Sequence, residues 1–585
     1  MINVFLEKAR QGESVYLHEV RAAFAGCGHA IECVVELTTG GQKRYRVALP
    51  AAHDLQELSF VKEYLYATIY NLISVLGGTC MALYVQPGDG YAASLCAALD
   101  EVFQTDKARG VRTGYGKCLN VTDRMNAAMG KAPFYFVIKQ EDCPARTYPE
   151  APVPGALSQF EQAVRSAESA LICGMDIGGT DIKIVGVKDG RIAAFREYDW
   201  NPSVMKDVNS LIQPILLLVR ATRAALSLPD TVRANELRGI MLDKNISDKS
   251  MRAAMEAAEA EFGTPVLLDG IGVCFPDVVV DDKIVGGETL KTRGIREHSP
   301  DYEAEFSRLT ALKQLLQAHC RQGGAAHLSN DGSLAAYTAA VELAHSERAD
   351  EVSEGVFAHT LGTELGTGWI DETGEIPQIP LEAYNCIIDL GNYPARAYEP
   401  LDVRSINNFN TSLPGTLQKY ASQSGAYRLA LQYFQGAAPA RYRELFDQGY
   451  LEERNGGVYV TASPRDMRKP LLEHIMTLAS GGEPAAEKVF RQIGEYLAAT
   501  YLETEHILAP RAKTRVLFGR FVKKQRCFEL MQEGAAAVAP IRFVAADDDI
   551  AYTPLMRNLK ADAIYTVAQF GQAVGAAYYA ASLLK

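Results

Sequence analysis

A glycine-rich turn between two apolar segments is the first place in this sequence where chemistry can be predicted. An apolar run ends in Met175-Asp176-Ile177, the turn 178–181 (GGTD) follows, and the alternating run 182–187 leads away. Two such strands joined by a Gly-Gly turn predict a β-hairpin. Its tip offers backbone N–H groups that could cradle phosphate oxygens, while the Asp176 carboxylate could hold a hydrated Mg²⁺ beside them. An ordinary tight turn, with Asp176 as a local hydrogen-bond acceptor, explains the same residues equally well.

Three further segments have the composition of a ligand site. The pair Asn330-Asp331 opens the helical pattern LAAYTAAVELA, and a second glycine-rich turn, LGTELGTG at 361–368, lies between two apolar runs. A strand at 514–519 ends on a glycine, and a helix of small residues begins near Gly571. Asp331 could accept a proton from a substrate hydroxyl, or Asp331 or Asn330 could only cap the helix. The residue pattern alone favours the cap.

Taken in order, these elements resemble the ROK family of sugar kinases (repressor, open reading frame, kinase) in the actin/hexokinase-like ATPase superfamily. The first phosphate motif DIGGT matches at 176–180, the ND pair at 330–331, and the second phosphate motif in part at 361–368. With the closing Gly-Ala-Ala helix, the resemblance covers about 171–585. It implies ATP-dependent phosphorylation of a hydroxyl of a hexose or amino sugar, with Asp331 as general base, and so reverses the preference for the cap.

The same resemblance implies roles for the other candidate residues. Asn330 and Glu382 would bind the sugar, and Asp176 would bind Mg²⁺ through water. The nucleotide would be contacted by Gly178, Gly179, Thr180, Gly362, Thr363, Gly366 and Gly519. For Glu382, a surface-loop carboxylate is an equally good interpretation.

The sequence also departs from the family pattern. Glu364 occupies a position that is usually glycine, where a carboxylate beside phosphates is unfavourable unless it points away or meets a metal. Gln418 stands where a glutamate is usual. The stretch 382–425 holds Cys386 as its only thiol and no histidine, so we expect no zinc. These departures favour the alternative function, a sugar- or nucleotide-sensing ROK-like protein with reduced catalysis. A ROK-type repressor would need a basic helix-turn-helix before Asp176, which the strand-rich N-terminal part does not suggest.

The composition limits partners and location. The chain has 585 residues, a formal net charge of −12, and 11 scattered cysteines without a C-x-x-C pair. The acidic balance disfavours nucleic acid as a partner, and no apolar run is long enough to cross a membrane. We therefore expect a cytoplasmic protein whose partners are a small-molecule sugar and a nucleotide, with a homodimer left open.

The predicted fold class is α/β, a two-lobed actin/hexokinase-like (ribonuclease H-like) unit preceded by an extra N-terminal α/β domain. The predicted domains are 1–155, of unknown role, 156–329 as the first lobe with the helix 570–585 packing back on it, and 330–569 as the second lobe. A linker is expected at 148–155, rich in proline. Within the first domain, the patterns predict a hairpin around 39–42, a helix over 55–76 and a strand over 80–85.

Overall fold

The protein is described from a computed structural model. The structure describes residues 1–145, 154–287, 289–391, 402–408, 410–546 and 550–584. The chain divides into two compact units, each built from separated stretches. Unit 1 comprises Met1–Glu150, His359–Thr367 and Ile379–Asp547. Unit 2 comprises Ala151–Ala358, Gly368–Gln378 and Asp548–Lys585.

Helices and strands alternate along most of the chain. The helices are α1 Ile2–Arg10, α2 Leu17–Phe24, α3 Leu55–Leu76, α4 Gly90–Ala97, α5 Leu99–Phe103, α6 Cys118–Ala128, α7 Ala156–Ser169, α8 Val208–Ser227, α9 Val232–Leu242, α10 Asp248–Phe262, α11 Arg293–His298, α12 Tyr302–Ser307, α13 Leu312–Gln317, α14 Asp331–Ala344, α15 Leu417–Tyr420, α16 Gln423–Ala437, α17 Pro439–Asp447, α18 Arg468–Ser480, α19 Pro484–Leu508, α20 Gln525–Ala536, α21 Pro554–Lys560 and α22 Val567–Ser582. The strands are β1 His29–Glu36, β2 Gln42–Leu49, β3 Cys80–Val85, β4 Tyr135–Lys139, β5 Ile172–Ile177, β6 Asp181–Lys188, β7 Arg191–Asp199, β8 Leu268–Phe275, β9 Val279–Val280, β10 Lys283–Ile284, β11 Cys320–Asn330, β12 Val356–Leu361, β13 Leu365–Ile370, β14 Leu451–Arg454, β15 Gly457–Val460, β16 Thr514–Gly519 and β17 Arg542–Ala545.

Unit 2 is built on a mixed five-stranded sheet in the order β11-β8-β5-β6-β7. The strands β11, β8 and β5 are parallel, whereas β6 and β7 continue the sheet as antiparallel neighbours. On one face, Met175 and Ile177 of β5 join a buried apolar cluster with residues of α8 such as Ile215. Because side chains alternate along a strand, the residues between them point to the opposite face.

The C-terminal helix α22 covers that opposite face and packs on β5 and β8. A Cβ atom added to Gly272 would lie 1.8 Å from the carbonyl oxygen of Ala576, so only glycine permits this approach of helix to strand. Gly174 on β5 faces the carbonyl of Ala573 in the same way, at 2.1 Å. The glycines of β5 and β8 therefore allow α22 to lie directly against the strands that carry the candidate site.

Unit 1 contains two four-stranded sheets and a large helical core. The sheets have the orders β2-β1-β3-β4 and β13-β12-β16-β17, and the division between the units falls within β12 and β13. The core is formed by α16, α18, α19 and α20 together with the end of β12 at Leu361. The N-terminal stretch packs into the same unit, since Arg21 forms an ion pair with Glu503 of α19 at 2.7 Å. Asn71 of α3 also donates a hydrogen bond to the carbonyl of Ile387.

Several sequence predictions of local structure are confirmed. The helix over 55–76 is α3, the hairpin is β1–β2, and the strand over 80–85 is β3. The α/β class is likewise confirmed, with parallel and antiparallel strands in packed layers with helices. The division into an N-terminal domain and two lobes stays a prediction, because compact units need not coincide with functional domains. Most of the predicted linker, at 148–153, lies outside the described residues.

A membrane-spanning helix would need a long apolar segment. None of the helices in the described ranges has the length and apolarity that a span requires.

Candidate functional site

The register of three parallel strands brings the candidate catalytic residues of unit 2 to one edge of its sheet. Asp176 on β5 pairs with Cys274 on β8, and Cys274 in turn pairs with Ser329 on β11. Neighbouring strands lie about 4.8 Å apart, so the ends of β5 and β11 are separated by roughly 10 Å. Asp331 follows two residues after Ser329 and opens α14. Asp176 and Asp331 therefore lie at the same carboxyl edge, where ligands of α/β sheets commonly bind.

The predicted hairpin is the β5–β6 pair, and its turn is closed by local hydrogen bonds. The N–H of Gly178 donates to the carbonyl of Asp181 at 2.8 Å. Trp200 holds the turn from β7's end, since its indole N–H donates to the Gly178 carbonyl and its backbone N–H to the Thr180 carbonyl, both at 3.0 Å. Gly179 and Thr180 are exposed, and in the described part of the chain their N–H groups have no hydrogen-bond acceptor. The tip thus presents two unused donors, as an anion-binding turn requires.

Asp176 has an unusual protonation equilibrium. Burial raises the pKa of its carboxyl to about 6 from an ordinary value of 3.8, and the charge of Asp331 raises the pKa further. A hydrogen bond with the Cys274 thiol and the ammonium of Lys183 oppose this rise. A carboxylate that burial makes costly to ionise gains from a divalent cation beside it. The environment of Asp176 therefore fits the predicted contact with hydrated Mg²⁺.

The structure shows which residue of the Asn330-Asp331 pair caps α14. Asn330 is the N-cap, and its side-chain oxygen accepts from the N–H of Gly332 at 2.9 Å. Its amide nitrogen donates to the carbonyl of Asp277 at 2.8 Å. Asp331 is the first residue of the helix and accepts from the same Gly332 N–H through one oxygen, at 2.8 Å. Because Asn330 already caps the helix, Asp331 is not needed for that function.

Two residues that the sequence analysis did not select lie in this cluster. Burial raises the pKa of Asp331, while the nearby ammonium of Lys291 lowers it. Lys291 also flanks the hairpin, since a Cβ atom on Gly179 would lie 3.6 Å from its Cε. Cys274 contacts Asp176 and lies 3.9 Å from the side-chain oxygen of Gln572 on α22. Neither residue belongs to a recognisable motif, so only the tertiary fold reveals them.

Unit 1 brings most of the second group of predicted residues together. Gly362 and Thr363 lie in the turn between β12 and β13, and Gly366 is the second residue of β13. The backbone N–H of Gln423 donates to the Gly362 carbonyl at 2.9 Å. Gly519 ends β16 with φ +103° and ψ −168°, a conformation accessible essentially to glycine alone. A Cβ atom there would lie 2.1 Å from the Leu361 carbonyl oxygen. Gly519 therefore packs directly against the first residues of the glycine-rich turn.

The two departures from the family pattern contact each other. The Gln418 amide donates a short hydrogen bond to the Glu364 carboxylate, and Lys419 Nζ lies 4.0 Å from its other oxygen. Glu364 itself is 62% exposed. A glutamate at 418 would place two carboxylates side by side, which is unfavourable at this distance. The neutral amide of Gln418 is therefore compatible with the Glu364 carboxylate at this distance.

Glu382 lies elsewhere in unit 1. Its backbone N–H donates to the Ser74 carbonyl of α3 at 3.2 Å, and its carboxylate accepts from the Tyr384 hydroxyl at 3.2 Å. The predicted role of Glu382 and of Asn330 in binding sugar stays a prediction, because the two residues belong to different units.

Metal-ligating side chains are scattered. Within the ranges that the structure describes, no three His, Cys, Asp or Glu residues are grouped so that they could hold a metal ion. The expected absence of zinc stays a prediction, since part of 382–425 is not described. A hydrated Mg²⁺ needs fewer protein ligands, because it keeps several waters and takes the rest of its oxygens from phosphates.

Comparisons with known proteins give only distant likenesses. No protein-family model matches the chain. No curated protein matches it. Among solved structures, it is similar to a ROK family glucokinase from Streptomyces griseus in complex with glucose and AMPPNP, at 18% identity and a TM-score of 0.35 over 70% of this chain and 98% of that one. It is also similar to a ROK hexokinase from Thermus thermophilus, at 16% identity and a TM-score of 0.35 over 67% of this chain and 97% of that one. A ROK family transcriptional regulator, a homologue of the E. coli MLC protein, overlaps at 13% identity and a TM-score of 0.39, over 70% of this chain and 81% of that one.

Similarities at such low sequence identity and TM-score establish neither the family nor the activity. What the structure itself defines is an α/β protein in which unit 2 places two carboxylates, a lysine and a glycine-rich tip at one sheet edge. Unit 1 separately packs a second glycine-rich turn against Gly519.

Proposed function

We propose that this protein transfers the terminal phosphoryl group of ATP to a hydroxyl of a sugar, a hexose or an amino sugar. The proposal rests on one observation above all. Asp176 and Asp331 lie at the same carboxyl edge of the sheet of unit 2, beside a hairpin tip with two unused N–H donors. Phosphoryl transfer needs this combination of a base, a cation-binding carboxylate and phosphate-binding donors.

Asp331 acts as the general base in this proposal. It accepts the proton of the attacking sugar hydroxyl as the oxygen bonds to phosphorus, and the bond from phosphorus to the bridging oxygen of ADP breaks. Burial raises the pKa of Asp331, which makes the carboxylate a better proton acceptor near neutral pH. The Gly332 N–H donates to one carboxylate oxygen and so fixes the position of the side chain. Asn330, the neighbour of Asp331, binds another sugar hydroxyl, and a sugar-binding role for Glu382 of unit 1 stays a separate prediction.

Gly179 and Thr180 bind the phosphates through their unused backbone N–H groups, and Gly178, whose N–H closes the turn, lets the backbone approach them. Asp176 would hold a hydrated Mg²⁺ beside them. When bound, the magnesium ion neutralises the phosphate charge during transfer. The buried carboxyl of Asp176, which is costly to ionise in the free protein, suits this role. A nucleotide-binding role for Gly362, Thr363, Gly366 and Gly519 of unit 1 stays a separate prediction.

An assay of product formation tests the proposal. ATP and Mg²⁺ are incubated with a panel of hexoses and amino sugars, and both ADP and the phosphorylated sugar are measured. We expect one or a few sugars to be phosphorylated, and Asp331→Asn to lose roughly 10²–10⁴-fold in turnover. Asp189→Asn, an exposed carboxylate on the β6–β7 turn of the same unit, is the matched control. ATP binding without phosphorylation of any sugar would contradict the kinase function.

A sensing function is the second candidate, and one observation favours it. Glu364 puts an exposed carboxylate on the turn that is proposed to contact nucleotide, and Gln418 and Lys419 hold it there. A negative charge near phosphates weakens nucleotide binding. If the protein binds a sugar or nucleotide with a measurable dissociation constant but forms no product, ligand sensing with reduced catalysis is its function.

A further inference from the structure

Lys291 has no role in the function proposed above, yet its ammonium group acts on the proposed base, since it lowers the pKa of Asp331. It lies on a short 3-10 turn, 290–292, immediately before α11. Its side chain is half-buried and passes beside Gly179, whose added Cβ would meet Lys291 Cε at 3.6 Å. The Lys291 side chain therefore lies beside the hairpin tip, and its charge acts on the proposed base.

The charge of Lys291 is not neutralised by a close carboxylate. Several other lysines of unit 2 have such a partner, for example Lys183 with Asp181, and Lys283 with Asp281 at 2.6 Å. In the described ranges no carboxylate oxygen lies within 4.0 Å of Lys291 Nζ, and its hydrogen bond goes to the Pro276 carbonyl at 3.5 Å. A half-buried ammonium group without a counter-ion loses hydration and gains little in return. Such a group is suited to an anionic ligand.

We propose that Lys291 binds the terminal phosphate of the nucleotide. This inference rests on the proposed kinase function and assigns the residue that recognises the transferred group. In that reaction the terminal phosphoryl group must lie beside the hydroxyl that Asp331 deprotonates, and Lys291 is the cation adjacent to Asp331 and to the hairpin tip. An ammonium group there offers charge-assisted hydrogen bonds to phosphate oxygens. It distinguishes ATP from ADP, which lacks the terminal phosphate.

Binding measurements test this assignment without requiring turnover. The dissociation constants of ATP and ADP are measured by calorimetry with Mg²⁺ and without sugar, using the full chain. We expect Lys291→Gln to weaken ATP binding by roughly 10- to 100-fold, the effect of losing a charge-assisted hydrogen bond, with ADP affinity little changed. Lys291→Arg keeps the charge and should recover part of the loss. Lys188→Gln, an exposed lysine on β6, is the matched control and should bind both nucleotides as the wild type does.

The outcomes separate this inference from the function on which it rests. If the wild type binds ATP and phosphorylates a sugar but Lys291→Gln keeps wild-type ATP affinity, the assignment of Lys291 is wrong and the kinase function stands. An equal loss of ATP and ADP affinity would also refute the contact with the terminal phosphate. If the wild type binds no nucleotide, both proposals fail. Lys291→Met, which keeps the apolar stem, replaces the glutamine variant if that variant folds poorly.

Discussion

Replacing Asp176 by asparagine should stabilise the protein, and the gain should depend on pH. The pKa of Asp176 is raised from 3.8 to about 6 in the folded protein. The folded state therefore holds this proton more tightly than the unfolded state, and stability falls as pH rises from about 4 to 6. A tenfold change in proton affinity is worth about 1.36 kcal/mol, so the ionised carboxylate costs about 3 kcal/mol above pH 7.

Asparagine cannot ionise and removes this cost. Integrating the linkage relation, the gain of Asp176→Asn is about 3 kcal/mol at pH 7.5 and about half of that at pH 5. For a cooperative unit of this size, 1 kcal/mol corresponds to about 2 °C in Tm. The variant should therefore melt roughly 6 °C above the wild type at pH 7.5 and roughly 3 °C above it at pH 5.

The assay is differential scanning calorimetry of both proteins at the two pH values, with a chelator present to exclude Mg²⁺. Asp189→Asn serves as the control, since its exposed side chain has no burial cost to remove. If the gain in Tm is the same at both pH values, or equal in the control, the raised pKa of Asp176 is not its cause. With saturating Mg²⁺ the gain should shrink, because a bound cation stabilises the ionised carboxylate of the wild type.

Two further predictions concern unit 1. Gly519→Ala should lower stability by roughly 1–3 kcal/mol or more, because the residue adopts φ +103° and its Cβ would collide with the Leu361 carbonyl at 2.1 Å. Thermal melting checks this against Gly482→Ala, which also has a positive φ but open space around it, and an equal loss in both would exclude the collision as cause. Glu364→Gln should tighten ATP binding by roughly two- to fivefold, since removing an exposed charge changes binding by at most about 1 kcal/mol. Calorimetric titration of ATP measures this beside Glu354→Gln, an exposed control, and weaker binding would show that Glu364 supports nucleotide contact.

Local patterns in the sequence predicted local structure well. The apolar period of 3.6 residues over 55–76 and the alternation in β1 and β2 require no tertiary information, because each depends on which face of a single element is buried. The hairpin at 178–181 follows from its glycine pair and flanking strands. The start of α14 was also predictable from Asn330-Asp331, although only the structure shows that Asn330 is the cap.

Contacts between distant segments could not be predicted from the sequence. The approach of Asp331 to Asp176 depends on the register of β5, β8 and β11, and no single segment records that register. Lys291 could not be predicted as a site residue, because a lone lysine in a turn belongs to no motif. Glu364 and Gln418 are 54 residues apart, and the sequence shows them as two separate departures from a motif. The structure shows that their side chains contact each other.

The most direct test of the account compares the wild type with Asp331→Asn in two separate measurements. Transfer of labelled terminal phosphate from ATP to a sugar reports catalysis, while equilibrium titration of ATP reports binding. If Asp331 is the base, turnover should fall by roughly 10²–10⁴-fold while ATP affinity stays within the error of the wild-type value. Equal turnover in the two proteins would contradict the central claim and remove Asp331 from the catalytic step.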